Sequence, residues 1–294
     1  MIKQDGDTLV ATAAVINDLS GFGRCSLGVA VPILSVCGIQ ACAIPTAVLT
    51  NQTGFPDYAC IDLTEHLYDY IKMWNLCDAS FDGIYSGYIA HPEQADFISS
   101  FIDNFRTEKN LVLVDPVMGD NGSIYKGYSQ RMCDKMRDLT VKADVITPNF
   151  TELCLLSGGN YSEISSLSAV KKKDEIKKLA LNLIERKNDL TIIVTGIDDN
   201  NKIYNMAFTK DQDFFTVSDR LGKSFSGTGD IFASVTFSML LNGKDLETAI
   251  NTAAEFIERS IKDTLAIDPD PDHNYGVEFE KNLGFLIDKN RTKI

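Results

Sequence analysis

The chain has 294 residues, 44% of them hydrophobic and 23% charged, the balance of a globular protein rather than a disordered one. Lysine and arginine number 28 against 41 acids, a net charge of −13, which argues against a general nucleic-acid or membrane-surface binder because both need a cationic face. Seven cysteines, at 25, 37, 42, 60, 77, 133 and 154, form no C-x-x-C pair and point to reduced thiols in a cytoplasmic protein. The start, Met1 to Asp7, carries acids where a secretory signal is basic, and no run of about 18 apolar residues follows. The expectation is a protein neither exported nor membrane-spanning.

Short β-rich runs at 9–16, 40–44, 83–86, 111–114, 145–147 and 190–195 alternate with segments of helical spacing. Asp62-Leu63-Thr64-Glu65 reads as a capping box opening a helix with Leu63, Leu67, Ile71 and Trp74 on one face. Pro92 suits a first helical position, with His91 as a loop or helix-start residue and Ile98, Phe101, Ile102 and Phe105 behind it. Between Val170 and Lys187 an apolar stripe (Ile176, Leu179, Ala180, Leu183, Ile184) faces inward, leaving Lys171 to Lys173 on a solvated face. Runs at 203–208 and 214–217 predict an antiparallel hairpin at a sheet edge. After Asp263 a proline-broken stretch (268–273) interrupts the helical pattern, and 283–287 reads as a final packed segment. The pattern predicts an α/β fold with a mainly parallel central sheet covered on both faces and a small antiparallel edge. No linker or repeat divides the chain, so it reads as one domain over 1–294.

Ser226-Gly227-Thr228-Gly229-Asp230 precedes an apolar helix that Gly243 can end. The two glycines let backbone N–H groups turn inward where the helix dipole adds positive charge, an anion hole made without side-chain charge. Asp230 also suits a plain N-cap. Leu111 to Val114 runs into Asp115-Pro116-Val117-Met118-Gly119-Asp120, setting two carboxylates at the end of a buried strand, where a cation, hydrogen bonds or water must stabilise them. The same segment suits a turn. Residues 121–128 form a polar, glycine-containing candidate flap. Ala143 to Glu152 repeats the strand–proline arrangement, with Asn149 and Glu152 matching an N-cap and its capping-box partner. With Thr195-Gly196 after another strand, these ends converge on one edge of a parallel sheet, a combination suited to metal-bound polyphosphate.

Together, Gly227 to Asp230, Asp115 to Asp120, Thr147-Pro148-Asn149 with Glu152, Ser86-Gly87-Tyr88 and Leu155 to Gly158 occur in the order found in the ribokinase-like superfamily. Over about residues 12 to 262 the chain resembles its pyridoxal kinases. The resemblance implies a three-layer α/β/α sandwich, ATP as phosphoryl donor, Mg²⁺, a monovalent cation such as K⁺, a B6 vitamer as acceptor and a homodimer. It implies that Asp230 is the general base, that Gly227, Thr228 and Gly229 hold the transferring phosphoryl group, and that Asp115, Asp120 and Glu152 surround Mg²⁺, often through water. Asn149 and Thr195 would lie near the nucleotide phosphates, and Thr53 and Tyr88 would line the vitamer ring.

The segment Asn17-Asp18-Leu19-Ser20-Gly21-Phe22-Gly23-Arg24-Cys25-Ser26 departs from the well-known members. Asp18 stands where they carry a ring-contacting serine. It can accept from a phenol or pair with a cationic amine or ring nitrogen, or it can simply satisfy the turn after the first strand. Arg24 reads either as a phosphate or Asp18 partner or as a surface residue, and Cys25 as a pocket-lining residue. Lys223 reads as a nucleotide-phosphate contact or as a solvated lysine. Two alternatives to a vitamer kinase stand beside it: a hydroxymethylpyrimidine kinase, and a vitamer-binding protein on the same fold without turnover.

Overall fold

The computed structural model describes residues 10–187 and 189–290. The N-terminal acids and Leu9, the first residue of the first predicted strand run, lie outside the described residues. β1 (Ala11–Ser20), α1 (Ser26–Val36), β2 (Ile39–Leu49) and β3 (Cys60–Asp62) come first, followed by α2 (Leu67–Leu76), β4 (Gly83–Ser86), α3 (Pro92–Phe105) and β5 (Leu111–Val114). A small hairpin of β6 (Gly119–Asp120) and β7 (Ser123–Ile124) precedes α4 (Gln130–Thr140), β8 (Val145–Ile146), α5 (Phe150–Ser157), α6 (Tyr161–Ser165) and α7 (Ala169–Ile184). Then come β9 (Thr191–Asp199), β10 (Lys202–Phe208), β11 (Asp213–Asp219), α8 (Thr228–Leu241), α9 (Leu246–Ile267) and α10 (Leu283–Asn290).

The strands form a nine-stranded sheet in the order β11-β10-β9-β8-β5-β4-β1-β2-β3. The six central strands run parallel, while β10 and β11 at one edge and β3 at the other are antiparallel. Period-two alternation splits their apolar side chains between two cores. Ile16, Ile84, Val112, Val114 and Ile192 pack with α2, α3, α4, α5 and α7. Val15, Tyr85, Leu113 and Ile193 pack with α1, α8, α9 and α10. This is the expected three-layer α/β/α sandwich with its antiparallel edge.

Some local expectations give way. Asp62 caps no helix: its Oδ1 accepts from the backbone N–H and hydroxyl of Thr64 and from Gln94 Nε2, and α2 begins only at Leu67 after a 3₁₀ turn. Lys173 is not simply solvated, since its ammonium sits 3.4 Å from the centre of the Tyr204 ring and 3.5 Å from Asp199. β1 and β2 run well past their apolar runs. Their register shifts between Asn17 and Leu19, opposite Pro45, whose missing N–H is tolerated at such an irregularity. The candidate flap begins in a hairpin of residues 119–124 turned by Asn121 and Gly122, at φ 51° and 77°, the left-handed pair that tight hairpins require. All seven cysteines are free, and no helix among the described residues is long and apolar enough to cross a membrane.

Candidate active site

Parallel strands present their carboxyl ends on one side of the sheet. Here the ends of β1, β4, β5 and β8 deliver Asn17 and Asp18, Tyr88, Asp115 and Asn149, and the start of α8 closes the same edge; Thr195, expected after a strand, lies within β9, bridged to Asn149, because β9 runs on to pair with β10. Gly227 holds a left-handed φ of 77°, and a Cβ there would lie 1.8 Å from the Arg24 carbonyl oxygen; the protein itself demands glycine. Gly229 differs, because a Cβ there would meet nothing within 4 Å and would project into open cleft. The Thr228 hydroxyl donates to the Phe225 carbonyl at 2.9 Å, fixing the turn and leaving backbone N–H groups free at the helix start.

Asp230 is the third residue of α8, in its first turn. Asn17 Nδ2 donates to its Oδ1 at 3.2 Å, while Asn17 Oδ1 accepts from the N–H groups of Tyr88 (2.9 Å) and Asp18 (3.0 Å). Burial pushes the Asp230 carboxyl up to about 6, with the Asp18 charge adding to the rise and the Ser26 N–H and the Asn17 amide opposing it. Asp115 is 6% exposed and accepts from the Thr147 hydroxyl at 2.9 Å; burial and the Asp230 charge raise it to about 7. Glu152 accepts from the N–H groups of Met118 (2.9 Å) and Asn149 (2.8 Å), and burial followed by the Asp115 charge pushes it upward. The capping-box reading therefore holds, and the same carboxylate also anchors the loop after β5. Asp120 lies on the flap and accepts from its neighbour Asn121.

Among the described residues, none of Asp18, Asp115, Asp120, Glu152 and Asp230 is in an ion pair. The nearby bases are engaged elsewhere. Arg24 pairs with Glu280 (2.6 Å) and Glu278 (3.6 Å) rather than with Asp18 or a phosphate position, and the exposed Lys223 pairs with Asp270 at 2.5 Å. No three acidic, histidine or cysteine side chains among the described residues are grouped to hold a metal ion alone. Asp115 and Glu152, both buried and in no ion pair among the described residues, nevertheless fit a hard divalent cation held partly through water and a ligand's oxygens.

Asp18 is 4% exposed, accepts from the Ser20 hydroxyl at 2.8 Å, and is pushed upward by burial. Tyr88 is half-buried beside it, its phenol raised by burial and by the Asp18 charge. The Cys25 thiol is pushed up to about 12, chiefly by burial and then by Asp230 and Asp18, which favours the neutral thiol over a thiolate. Thr53 is exposed on the loop after β2; the buried member of that loop is Gln52. A cleft of about 240 Å³ is lined by Asp120, Thr195, Lys223, Phe225, Thr228 and Gly229 among others. Asn149 is not among the residues lining it, and its side chain is committed: Oδ1 accepts from the Glu152 N–H and Nδ2 donates to the Gly119 carbonyl. His91 caps α3. Sequence reading missed Asn17, Gln52 and Ser26, the last at a strained φ of 52°. Asn17 stands where the apolar run of the first strand breaks, which marks the position but not its partners; Gln52 and Ser26 carry no local signal.

The family model described as phosphomethylpyrimidine kinase matches residues 33–274. A Bacteroides thetaiotaomicron protein provisionally named a phosphomethylpyrimidine kinase, with a structure containing pyridoxal, is 36% identical, with a TM-score of 0.86 and coverage of 94% of this chain and 96% of that one. Pyridoxal kinase from Lactobacillus plantarum is 26% identical, with a TM-score of 0.85 and coverage of 95% and 98%. A pyridoxine/pyridoxal/pyridoxamine kinase from Bordetella avium is 25% identical over 257 residues, 84% of this chain and 83% of that protein. With the glycine turn, the raised aspartate and the unpaired carboxylates at one sheet edge, these matches show that the chain belongs to the phosphomethylpyrimidine kinase family, with the ribokinase-like fold of the pyridoxal kinases.

Proposed function

We propose that this chain, as a single kinase domain, transfers the γ-phosphoryl group of ATP to the 5′-hydroxymethyl group of a B6 vitamer. The observation that carries the reading is Asp230: a carboxyl raised to about 6, held by Asn17 and set directly behind a glycine turn whose N–H groups are free. A primary alcohol is a weak acid, so a base is needed only as the oxygen–phosphorus bond forms; the proton passes to Asp230 while the bond from phosphorus to the ADP oxygen breaks. Backbone N–H groups of Gly227, Thr228 and Gly229 would take up the charge developing on the transferring group. Asp115 and Glu152, with Asp120 from the flap, would hold Mg²⁺, which when bound neutralises phosphate charge. Thr195 and Lys223 line the nucleotide cleft and are assigned to the phosphates, while Asp18, Tyr88, Cys25 and Thr53 are assigned to the acceptor. The bound pyridoxal of the 36% identical relative and the names of the kinases above support this choice of acceptor. A cytoplasmic homodimer is part of the same reading.

Asp230→Asn is expected to lower kcat by about 10²- to 10⁴-fold with the melting temperature retained, and chelation of divalent metal should abolish turnover. Near-normal phosphorylation by this variant overturns the base assignment. The family description points to pyrimidines as a second acceptor class: hydroxymethylpyrimidine offers the same primary alcohol on an aromatic ring, whereas the phosphomethylpyrimidine of that description would accept on a phosphate oxygen. Comparing kcat/KM for pyridoxal, pyridoxamine, pyridoxine and hydroxymethylpyrimidine on one preparation decides between them.

A further inference from the structure

Gln52 belongs to the loop between β2 and β3, yet nothing in the proposed chemistry uses it. It is 7% exposed, and its carboxamide is saturated by protein partners. Oε1 accepts from the Gly54 N–H at 2.7 Å. Nε2 reaches the Asn274 carbonyl at 3.0 Å, Asn274 Oδ1 at 3.2 Å and the Ser226 hydroxyl oxygen at 3.3 Å. Its backbone N–H donates to the Phe22 carbonyl at 3.0 Å. One residue thus ties together four segments: its own loop, the loop after β1, the turn before α8, and the C-terminal stretch around Asn274.

The packing allows little slack. A Cβ on Gly23 would lie 2.9 Å from Gln52 Cγ, and one on Gly54 would lie 2.5 Å from Asn274 Oδ1 and 2.8 Å from Gln52 Nε2. Ser226, the residue before the glycine turn, donates its N–H to the His273 carbonyl at 3.1 Å. The Arg24 N–H donates to the Tyr275 carbonyl at 3.3 Å, and the Arg24 carbonyl oxygen is the atom against which Gly227 packs. The rings of Phe22, Phe55 and Tyr275, with centroids 5.3–5.7 Å apart, join the same three loops from the outside.

We propose that Gln52 is a positioning residue for phosphoryl transfer: through Ser226 and Asn274 it fixes the Gly227–Gly229 turn relative to the loop carrying Thr53. The inference rests on the kinase reading above. Its chemistry demands a neutral amide of this length. Glutamate would set an anion against the Asn274 carbonyl and the Ser226 oxygen and would lack the N–H groups they accept from; asparagine is one methylene short. Thr228 and Gly229 of that turn line the nucleotide cleft on one side, while Phe232, Ile257 and Ile261 line it from the helices, so a displaced turn should slow the chemical step more than it weakens nucleotide binding.

The test measures kcat, both KM values and the melting temperature for the full-length wild type, Gln52→Glu, Gln52→Asn and Ser226→Ala, using whichever vitamer the wild type phosphorylates best. Misplacing a catalytic group by about 1 Å can cost on the order of 10²-fold in rate. Gln52→Glu should therefore lose between about tenfold and a hundredfold in kcat, with a smaller change in KM for ATP. Gln52→Asn should fail to restore the rate, and Ser226→Ala should lower kcat in the same direction by a smaller factor. A kcat for Gln52→Glu within about twofold of wild type, whatever its melting temperature, overturns the proposal. If Gln52→Glu does not fold, an unchanged kcat in Ser226→Ala overturns it. A wild type that phosphorylates no vitamer or pyrimidine refutes the functional reading instead, a separate outcome.

Discussion

At the level of single residues, the two glycines of the α8 turn are required for different reasons, and substitution should separate them. Gly227→Ala forces a Cβ into the Arg24 carbonyl at a left-handed φ, so it should lower the melting temperature by several degrees or prevent folding. Gly229→Ala meets only open cleft and should melt with wild type yet lose most of its kcat/KM, because its methyl group occupies the space reserved for the transferring group. Asp18 illustrates the opposite tension. Its carboxyl is raised by burial, so the folded state disfavours the charge. That destabilisation is absent below the ordinary carboxylate value near pH 4, grows as pH rises toward the raised native value, and is full above it. Asp18→Asn should therefore melt higher than wild type at pH 7.5, with the difference shrinking to nothing in acid, while vitamer discrimination weakens. For Asp230 the sign applies to activity: the base must be ionised, so kcat/KM should fall as pH drops through about 6. These groups were legible as types, since acids and glycines at strand ends have few other uses. Asn17 and Gln52 were not, because an amide gains meaning only from the partners that fold against it.

Among the elements, the flap shows how local chemistry and packing divide the work. Asn121-Gly122 specifies a tight hairpin by backbone preference alone, and the structure forms one between β6 and β7. Its docking comes from elsewhere: the Gly122 N–H donates to the Thr151 hydroxyl at 2.9 Å, and a Cβ on Gly122 would strike the Tyr161 ring at 2.5 Å. Gly122→Ala should lift the hairpin, carrying Asp120 with it, and raise KM for ATP several-fold while the melting temperature changes little; titration with nucleotide would detect it. The strands were readable from their apolar centres, but their ends were not. Alternation stops at Ile16, while pairing continues through the irregularity to Ser20 because β2 still offers backbone partners. The misread capping box at Asp62 has a related cause. Asp62 is held by Gln94, 32 residues away, and this tertiary hydrogen bond outweighs a local cap preference worth about 1 kcal/mol.

For the whole molecule, a net charge of −13 means that nucleotide attraction is local, through the helix start, backbone N–H groups and divalent metal. The long-range field opposes an incoming polyphosphate, and salt screens that field over roughly 10 Å at 0.1 M. Raising ionic strength from about 0.02 to 0.2 M should therefore leave kcat/KM for ATP unchanged or raise it, the reverse of a protein that steers anions with a basic surface. The sequence by itself determined the alternating α/β pattern, the two-faced burial of the central strands, the glycine turn and the capped helix starts, because each depends on residues within a turn or a strand of one another. The tertiary structure decided which acids approach which, that Arg24 is bound to the C-terminal segment and not to a phosphate, and that Asn17 and Gln52 hold the site together. Those partners lie 213 and 222 positions apart in the chain. No local periodicity encodes such a distance; only the order of strands in the sheet brings them within hydrogen-bonding reach.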